Sequence, residues 1–330
     1  MVMPAAFTVL AVIGVLALFE IGARMAGYGP PKAGGSYQES KFRPSRDLLW
    51  ELVSGWRGEE GAGKIRINSI GFRDDEIPTP KPKGEMRILC LGDSVTFGYM
   101  VDQNNPWPRA LEGVYRASGR NVRVINAGVP GYSTFQERDL LRIKGWTLEP
   151  DIVILGYCLN DAIERYTSVA KYGGKDIFLG VDTSGELPLL KRIMRRIAIF
   201  RFIRLKFQDM AKREELYSVR RLNSDPLPPE LAQAWENNKE EITGINKDVQ
   251  AHGKPFLVAV FPYYFQVLLG GRAEVHQRRI LDFCNANGVK CLDLFPTFYN
   301  HRDEPLFLDG DHPSAAGHSR AAQAIYQYLQ

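Results

Sequence analysis

Residues 87–98 read RILCLGDSVTFG, and this stretch indicates the fold class. It opens with a predominantly apolar run, residues 87–91, in which Arg87 is the one polar residue, and such a run is typical of a strand buried on both faces of a parallel sheet. Glycine at position 92 then permits a tight turn directly before Ser94. We therefore predict a strand that ends near Leu91 and leads through a turn into a helix, with Ser94 at the turn.

Four more short apolar runs follow along the chain. Helix-compatible segments, such as residues 107–117 and 136–144, lie between them. This alternation predicts a doubly wound α/β domain with a five-stranded parallel sheet and helices on both faces. Ligands bind at the carboxyl ends of the strands in that architecture, so functional residues are expected just after each run. The four runs are residues 122–125, 152–155, 256–261 and 289–294.

The N-terminal run, residues 2–19, is apolar except for Pro4, Thr8 and Gly14. Its length is at the lower limit for a spanning helix. It lacks a basic leading region and a small-x-small cleavage site, which favours an uncleaved transmembrane anchor over a cleaved signal peptide. A buried core helix is the third reading. The basic residues from Arg24 onward would place the body in the cytoplasm, but that rule weakens for long translocated domains. We predict a membrane-anchored protein whose catalytic domain is periplasmic or otherwise extracytoplasmic.

Proline spacing and charge divide the rest of the chain. Three prolines within residues 78–82 mark a boundary, because they cannot join regular ladders. We predict an anchor at residues 1–25, a linker and extension at 26–85, and one catalytic domain at 86–330. A basic helical insertion is expected at about residues 165–240.

Positive charge is concentrated in one segment. Residues 187–222 hold eleven Lys or Arg and three Asp or Glu, whereas the whole chain has a net charge of only +4. This argues against a nucleic-acid-binding surface. Basic pairs at helical spacing make Arg192, Arg195 and Arg196 candidates for contact with an anionic membrane surface or for a lid. An inserted helix with solvated charges is the alternative.

A serine nucleophile needs a base, and the chain has five histidines. His252, His276 and His301 lie in turn-like or polar surroundings and are predicted to be surface residues. Asp309 and His312 differ, because a turn through Gly310 can bring the carboxylate to one ring nitrogen and leave the other for a serine proton.

Other readings of these segments stay open. Ser94 could be a helix N-cap, and residues 309–312 could be a solvated turn. Asp309, Asp311 and His312 could also hold a metal ion, although no other clustered ligand is evident.

Two more segments follow predicted strands and can supply hydrogen-bond donors. One segment, residues 126–133, contains Gly128 and Gly131, and the backbone N–H of a glycine can stabilise an oxyanion. The other, residues 156–161, contains Asn160, whose side-chain amide can do the same. Each alone is an ordinary turn.

Together these segments resemble the blocks of the SGNH (GDSL-type) hydrolase superfamily, in order and spacing. Gly92-Asp93-Ser94 is similar to the first block and Gly131 to the second. Asn160 is similar to the third, and Asp309-x-x-His312 to the last.

The resemblance implies a three-layer α/β/α flavodoxin-like fold and no cofactor. It implies Ser94 as nucleophile, His312 as base and Asp309 as its orienting acid, with the oxyanion bound by Ser94, Gly131 and Asn160. One departure is Cys158, which stands where the third block has glycine. Another is the long insertion between the third and fourth strands.

The resulting functional prediction is a serine esterase that acts on acyl groups, such as O-acetyl, of envelope glycans or lipids. An O-acetyltransferase of an exported polysaccharide is an alternative, because the same residues serve either acceptor, but it would need a partner to supply the acyl group. A catalytically silent scaffold or binding subunit that keeps the fold is a third hypothesis.

Overall fold

The structure is a computed structural model of the 330-residue chain. It describes residues 3–28, 41–61, 63–162, 197–199, 202–203, 206, 219–270 and 274–330. The chain forms two compact units, one of residues 1–40 with 176–216 and one of residues 41–175 with 217–330. The membrane-surface candidates Arg192, Arg195 and Arg196 lie outside the described residues.

The first unit contains helix α1, Met3–Ala23, which continues as a π-helical turn, Arg24–Tyr28. The Glu20 carboxylate accepts hydrogen bonds from the backbone N–H groups of Ala198 (2.9 Å) and Ile199 (3.1 Å). In the part of the chain that the structure describes, no helix combines the length and apolarity that crossing a membrane requires. Residues 3–23 are thus helical, but the predicted transmembrane helix is not supported.

The second unit is built on a parallel sheet of five strands within its described residues. The first strand of the sheet in sequence lies between the second and the third, and the fourth and fifth follow beside the third. This is the flavodoxin-like order 2-1-3-4-5, in which the switch point lies beside the first strand. The strands are β5 (Met86–Gly92), β6 (Val122–Asn126), β7 (Ile152–Tyr157), β8 (Phe256–Val260) and β9 (Lys290–Asp293).

The predicted strands and the parallel pairing are confirmed. Cys90 pairs with Asn126 on one side and with Ile154 on the other, and both ladders are parallel. All residues of β6 and β8 are buried, as expected of strands covered on both faces.

Helices connect the strands and cover the sheet. The predicted helix at 107–117 is observed with those bounds, and the one at 136–144 begins two residues earlier. The helices described in this unit are α2 (Ser94–Phe97), α3 (Trp107–Ala117), α4 (Thr134–Ile143), α5 (Pro229–Ala251), α6 (Tyr264–Leu269), α7 (Val275–Ala286), α8 (Phe295–Asn300) and α9 (Ala315–Tyr328). Short 3₁₀ turns occupy Gly145–Leu148 and Leu159–Ala162.

Alternate residues of β5 serve the two faces of the sheet. Ile88 and Cys90 join one core cluster with Trp107 of α3 and Ile325 of α9. The alternate residues Arg87, Leu89 and Leu91 point toward the opposite face of the sheet and are also fully buried. Both faces are therefore covered.

Residues 41–85 of the extension belong to the same compact unit as the sheet and include two antiparallel hairpins. Strands β1 (Phe42–Ser45) and β2 (Leu49–Leu52) pair in the first, and β3 (Arg57–Glu60) and β4 (Gly63–Arg66) in the second. Buried polar contacts attach it to the sheet. The Asp74 carboxylate accepts from the Asn126 N–H (3.1 Å) and pairs with Arg123 (2.9 Å).

All four cysteines lie within the described residues and are free thiols. Burial raises the pKa of the Cys90 and Cys158 thiols, which makes thiolate chemistry at these positions unfavourable.

Candidate active site

The predicted strand-to-helix turn places Ser94 at the carboxyl end of β5. The N-cap of helix α2 is Asp93, whose carboxylate accepts the Val95 N–H at 2.8 Å, so Ser94 is the first helical residue and not the cap. Ser94 is partly exposed, while Asp93 and Val95 are buried. The turn therefore presents the serine side chain at the surface of the sheet end.

The structure brings Asp309, His312 and Ser94 together in that order. The Nε2 atom of His312 lies 2.9 Å from Ser94 Oγ, and Nδ1 lies 2.9 Å and 3.0 Å from the two carboxylate oxygens of Asp309. Asp309 Oδ1 also accepts the backbone N–H groups of Asp311 (3.1 Å) and His312 (2.9 Å), which close the turn. With Nδ1–H donated to Asp309, Nε2 can accept the serine proton, which is the arrangement of a nucleophile, a base and an orienting acid.

Electrostatics favour a basic imidazole. Burial alone would lower the pKa of His312, but the hydrogen bond to Asp309 and the charges of Asp311, Asp309 and Asp93 outweigh it and raise that pKa. Burial alone would raise the pKa of Asp309, yet the hydrogen bond and charge of His312 hold it well below its usual range. Asp309 therefore stays ionised at every pH at which His312 is neutral and can act as a base.

We expect Asp311→Asn to shift the acidic limb of the kcat/KM profile to lower pH. Asp311 lies 3.4 Å from His312 Nδ1, and its negative charge stabilises the protonated ring. Removing that charge lowers the pKa of His312, so the neutral base persists at more acidic pH. The measurement is kcat/KM against pH, with exposed Asp303→Asn as the control. A limb that stays in place or moves to higher pH would contradict the assignment of His312 as the base.

The alternative that Asp309, Asp311 and His312 form a metal site can be compared with their observed contacts. One ligand atom of each lies within 4.8 Å of the others. Both ring nitrogens of His312 are engaged, Nδ1 by Asp309 and Nε2 by Ser94. The observed hydrogen bonds thus account for the cluster as an acid–base relay.

The loop after β6 lies against the nucleophile turn. A Cβ atom on Gly128 would stand 2.3 Å from the Phe97 backbone nitrogen, so only glycine permits this approach. Gly131, with φ of +79°, occupies a left-handed conformation three residues later. Neither the Gly131 N–H nor the Ser94 N–H donates a hydrogen bond to another described residue, and both residues are partly exposed. These two donors suit an oxyanion.

Asn160 follows β7 and is held by buried partners. Its amide donates from Nδ2 to the Asp93 carboxylate (2.8 Å), and its Oδ1 accepts from the Tyr263 hydroxyl (3.1 Å). These contacts distinguish the oxygen from the nitrogen of the amide and so set its orientation. A primary amide nitrogen carries two hydrogens, so donation to Asp93 and to an oxyanion are compatible.

Cys158, the departure from the third block, lies directly before the 3₁₀ turn that carries Asn160. The Cys158 side chain joins the core, and its backbone N–H donates to the Asp161 carboxylate (2.7 Å). This contact closes the 3₁₀ turn that carries Asn160.

We expect Asn160→Ala to lower kcat by roughly 10²- to 10³-fold with a small effect on KM, because an oxyanion donor acts mainly in the transition state. Steady-state kinetics on an aryl ester measure both constants. Asn121→Ala is the matched control. Asn121 directly precedes β6, at the amino ends of the strands, and its exposed amide donates to the Gly84 carbonyl. Equal losses in the two variants would contradict an oxyanion role.

Three neighbours of the site escaped sequence reasoning. The Tyr99 ring packs on His312 with centroids 4.7 Å apart. The buried Arg73 guanidinium donates to the carbonyls of Phe97 (3.2 Å) and Gly98, at the end of helix α2. Tyr263 is the third. These contacts join distant segments, and only the position of Tyr263 just after a strand could have signalled it.

The prediction for His276 is wrong. It was expected at the surface, but its side chain is fully buried and its Nε2 lies 2.9 Å from the Tyr157 hydroxyl. Burial lowers the pKa of His276 to about 3, so it packs as a neutral ring. By contrast, His252 is exposed and His301 partly exposed.

The chain is similar in sequence to known proteins. The sequence model of the GDSL-like Lipase/Acylhydrolase family matches residues 90–320. An arylesterase from Vibrio mimicus is 29% identical over 82 residues, which are 24% of this chain and 40% of that protein. The chain thus aligns with less than half the length of that curated relative.

Among solved structures, an acetylxylan esterase from Geobacillus stearothermophilus matches with 15% identity and a TM-score of 0.44, covering 74% of this chain and 94% of that one. A lipase/acylhydrolase from Enterococcus faecalis matches with 16% identity and a TM-score of 0.43, covering 74% and 95%. At this level the structural likenesses carry no argument. The match over residues 90–320 is what shows the relationship: the chain belongs to the GDSL-like lipase/acylhydrolase family and is a hydrolase.

Proposed function

We propose that the protein is a serine esterase that forms an acyl-enzyme on Ser94. The observation that carries the proposal is the continuous hydrogen-bond path from Ser94 Oγ through the His312 ring to the Asp309 carboxylate. Each contact is about 2.9 Å, which is within reach for proton transfer.

The reaction divides into two half-reactions. His312 Nε2 takes the Ser94 proton while Oγ attacks the ester carbonyl, and Asp309 stabilises the imidazolium that forms. The N–H groups of Ser94 and Gly131 and the Asn160 amide stabilise the tetrahedral oxyanion. The imidazolium then protonates the departing alkoxide, which leaves the acyl group on Ser94. In the second half, His312 removes a proton from water while the water oxygen attacks the acyl carbonyl. The imidazolium then returns that proton to Ser94 Oγ as the acyl–Oγ bond breaks and the acid leaves.

The substrate class is an ester of a small acyl group. The aligned arylesterase supports aryl esters as test substrates, and O-acetyl groups of envelope glycans or acyl groups of lipids are the proposed natural substrates. Transfer to a polysaccharide hydroxyl uses the same residues and differs only in the second acceptor.

An envelope location remains a proposal as well. It is supported by helix α1, whose large apolar side chains are solvent-exposed, among them Phe7 (76%) and Leu18 (71%). An exposed apolar surface of this kind is typical of contact with lipid or protein. Co-sedimentation of the full chain with anionic vesicles tests it. Charge reversal at Arg192, Arg195 and Arg196 tests whether the basic segment contributes to vesicle binding. If the variant binds vesicles as fully as the unmodified protein, the basic segment has no part in membrane contact.

The function is tested with p-nitrophenyl acetate and the full-length protein beside Ser94→Ala. We expect turnover that depends on Ser94. Added oligosaccharide acceptors separate the two chemistries, because hydrolysis yields free acetate in a 1:1 ratio with nitrophenol, whereas transfer yields acetylated acceptor. Turnover that persists in Ser94→Ala would contradict the proposal.

A further inference from the structure

The first extension hairpin contacts the loop that carries Gly131. The Trp50 indole N–H donates to the Pro130 carbonyl at 3.3 Å. In return, the buried Tyr132 hydroxyl donates to the Trp50 carbonyl at 2.6 Å. The two rings meet edge to face with centroids 5.7 Å apart. Residues on both sides of Gly131 are therefore tied to the same residue of β2.

The Pro130 carbonyl is the other half of the peptide that contains the Gly131 N–H. A peptide unit is planar and trans, so its C=O and N–H point in opposite directions. A hydrogen bond that fixes the direction of the Pro130 oxygen thereby fixes the direction of the Gly131 hydrogen. It also polarises the peptide, which strengthens the N–H as a donor.

This peptide needs such a restraint. Glycine adopts positive and negative φ with similar ease, so the plane of the Pro130–Gly131 peptide can turn about its flanking φ and ψ bonds at little cost. The loop is held at Val129, whose N–H donates to the Gly92 carbonyl (3.0 Å), and at Tyr132, whose N–H donates to the Val129 carbonyl (3.1 Å). The contact from Trp50 acts on the peptide between these two points.

The hairpin itself is firmly attached. The Gln136 side chain, buried at the start of α4, donates to the Leu48 carbonyl (2.9 Å) in the turn between β1 and β2. The hydrogen bond from Gln136 thus holds the hairpin in place beside Pro130, and with it the position of Trp50. These hairpin residues lie before the region that matches the family, residues 90–320.

We propose that Trp50 is a positioning residue for the oxyanion site, which holds the Pro130–Gly131 peptide so that the Gly131 N–H faces the developing negative charge. The proposal rests on the proposed function, in which that N–H stabilises the oxyanion. Trp50 acts through the peptide and does not touch the reacting atoms.

The test is Trp50→Phe in the full-length protein. Phenylalanine keeps an aromatic ring against Tyr132 and removes the indole donor. We expect kcat on p-nitrophenyl acetate to fall roughly tenfold with KM little changed, as for loss of one hydrogen bond that matters in the transition state. The affinity for an aryl trifluoromethyl ketone, whose adduct with serine carries an oxyanion, should fall by a similar factor.

Trp146→Phe is the matched control. The same chemical change is made there in a residue that stacks on His252 and precedes β7, at the amino ends of the strands. We expect wild-type kcat and inhibitor affinity from it. A purely structural role of Trp50 would lower the melting temperature and leave the kcat-to-KM pattern and inhibitor affinity unchanged.

The outcomes are separable from those of the proposed function. Wild-type kcat in Trp50→Phe, with turnover still dependent on Ser94, would overturn the role of Trp50 alone. Absence of Ser94-dependent turnover in the unmodified protein would overturn both. If Trp50→Phe does not fold, Tyr132→Phe releases the other side of the contact. It should lower kcat and inhibitor affinity together by a few-fold, and unchanged values would overturn the proposal.

Discussion

His312→Ala should reduce kcat on p-nitrophenyl acetate by about a millionfold, because a serine hydroxyl without its base is a poor nucleophile. The structure shows one candidate acceptor within hydrogen-bond distance of Ser94 Oγ among the described residues, the Nε2 atom of His312 at 2.9 Å. Residual rate above the uncatalysed reaction would come from the oxyanion donors, which the substitution leaves in place.

The matched control is His252→Ala. His252 is exposed at the end of α5, and its Nδ1 lies 2.8 Å from the Asp248 carbonyl, so its loss should leave kcat unchanged. Melting temperatures of both variants establish that they fold. A folded His312→Ala protein that retains more than a tenth of wild-type kcat would show that another group removes the serine proton.

Asp309→Asn should lower kcat by about ten-thousandfold while the turn stays intact. An asparagine Oδ1 can still accept the backbone N–H groups of Asp311 and His312, which Asp309 accepts now. Its amide nitrogen would instead donate to Nδ1, which forces the ring hydrogen onto Nε2. That hydrogen then faces Ser94, and the ring cannot take the serine proton.

The control for this change is Asp303→Asn, an exposed acid that precedes the same turn. We expect wild-type kcat from it. If Asp309→Asn and Asp303→Asn have equal activity, the carboxylate has no role in fixing the tautomer, and the orienting function belongs elsewhere.

The sheet was predictable because its strands are buried on both faces. Runs such as residues 87–91 carry no polar alternation, and in a parallel sheet that pattern has few other readings. The same geometry predicts that Ser94 and the segments carrying Gly131 and Asn160 lie at the carboxyl ends of the strands. The choice of Gly131 and Asn160 as oxyanion donors came from the resemblance to the family blocks. The base was predictable for a different reason: Asp309 and His312 are joined by a local turn, and local turns leave a signature in sequence.

What escaped prediction depends on contacts between distant segments. Trp50 and Pro130 are eighty positions apart, and nothing in the short hairpin strands indicates where the indole points. Tyr263 reaches Asn160 across more than one hundred positions. His276 was misplaced because its polar sequence neighbours suggested solvent, whereas helix α7 turns that face toward the buried Tyr157.

The extension changes how the site is understood. The family match begins at residue 90, yet Asp74 accepts from the backbone of Asn126 and Arg73 donates to the carbonyls that end helix α2. Both contacts bear on loops that carry site residues. Residues 41–85 therefore help to shape the catalytic end of the sheet in this protein.

The most direct test of the central claim is covalent labelling of the full-length protein with a fluorophosphonate, followed by intact-mass measurement and peptide mapping. The expected result is one adduct per chain, located on Ser94, absent in Ser94→Ala and greatly slowed in His312→Ala. An adduct on another residue, or an enzyme that hydrolyses p-nitrophenyl acetate while Ser94 stays unlabelled, would contradict an acyl-enzyme on Ser94.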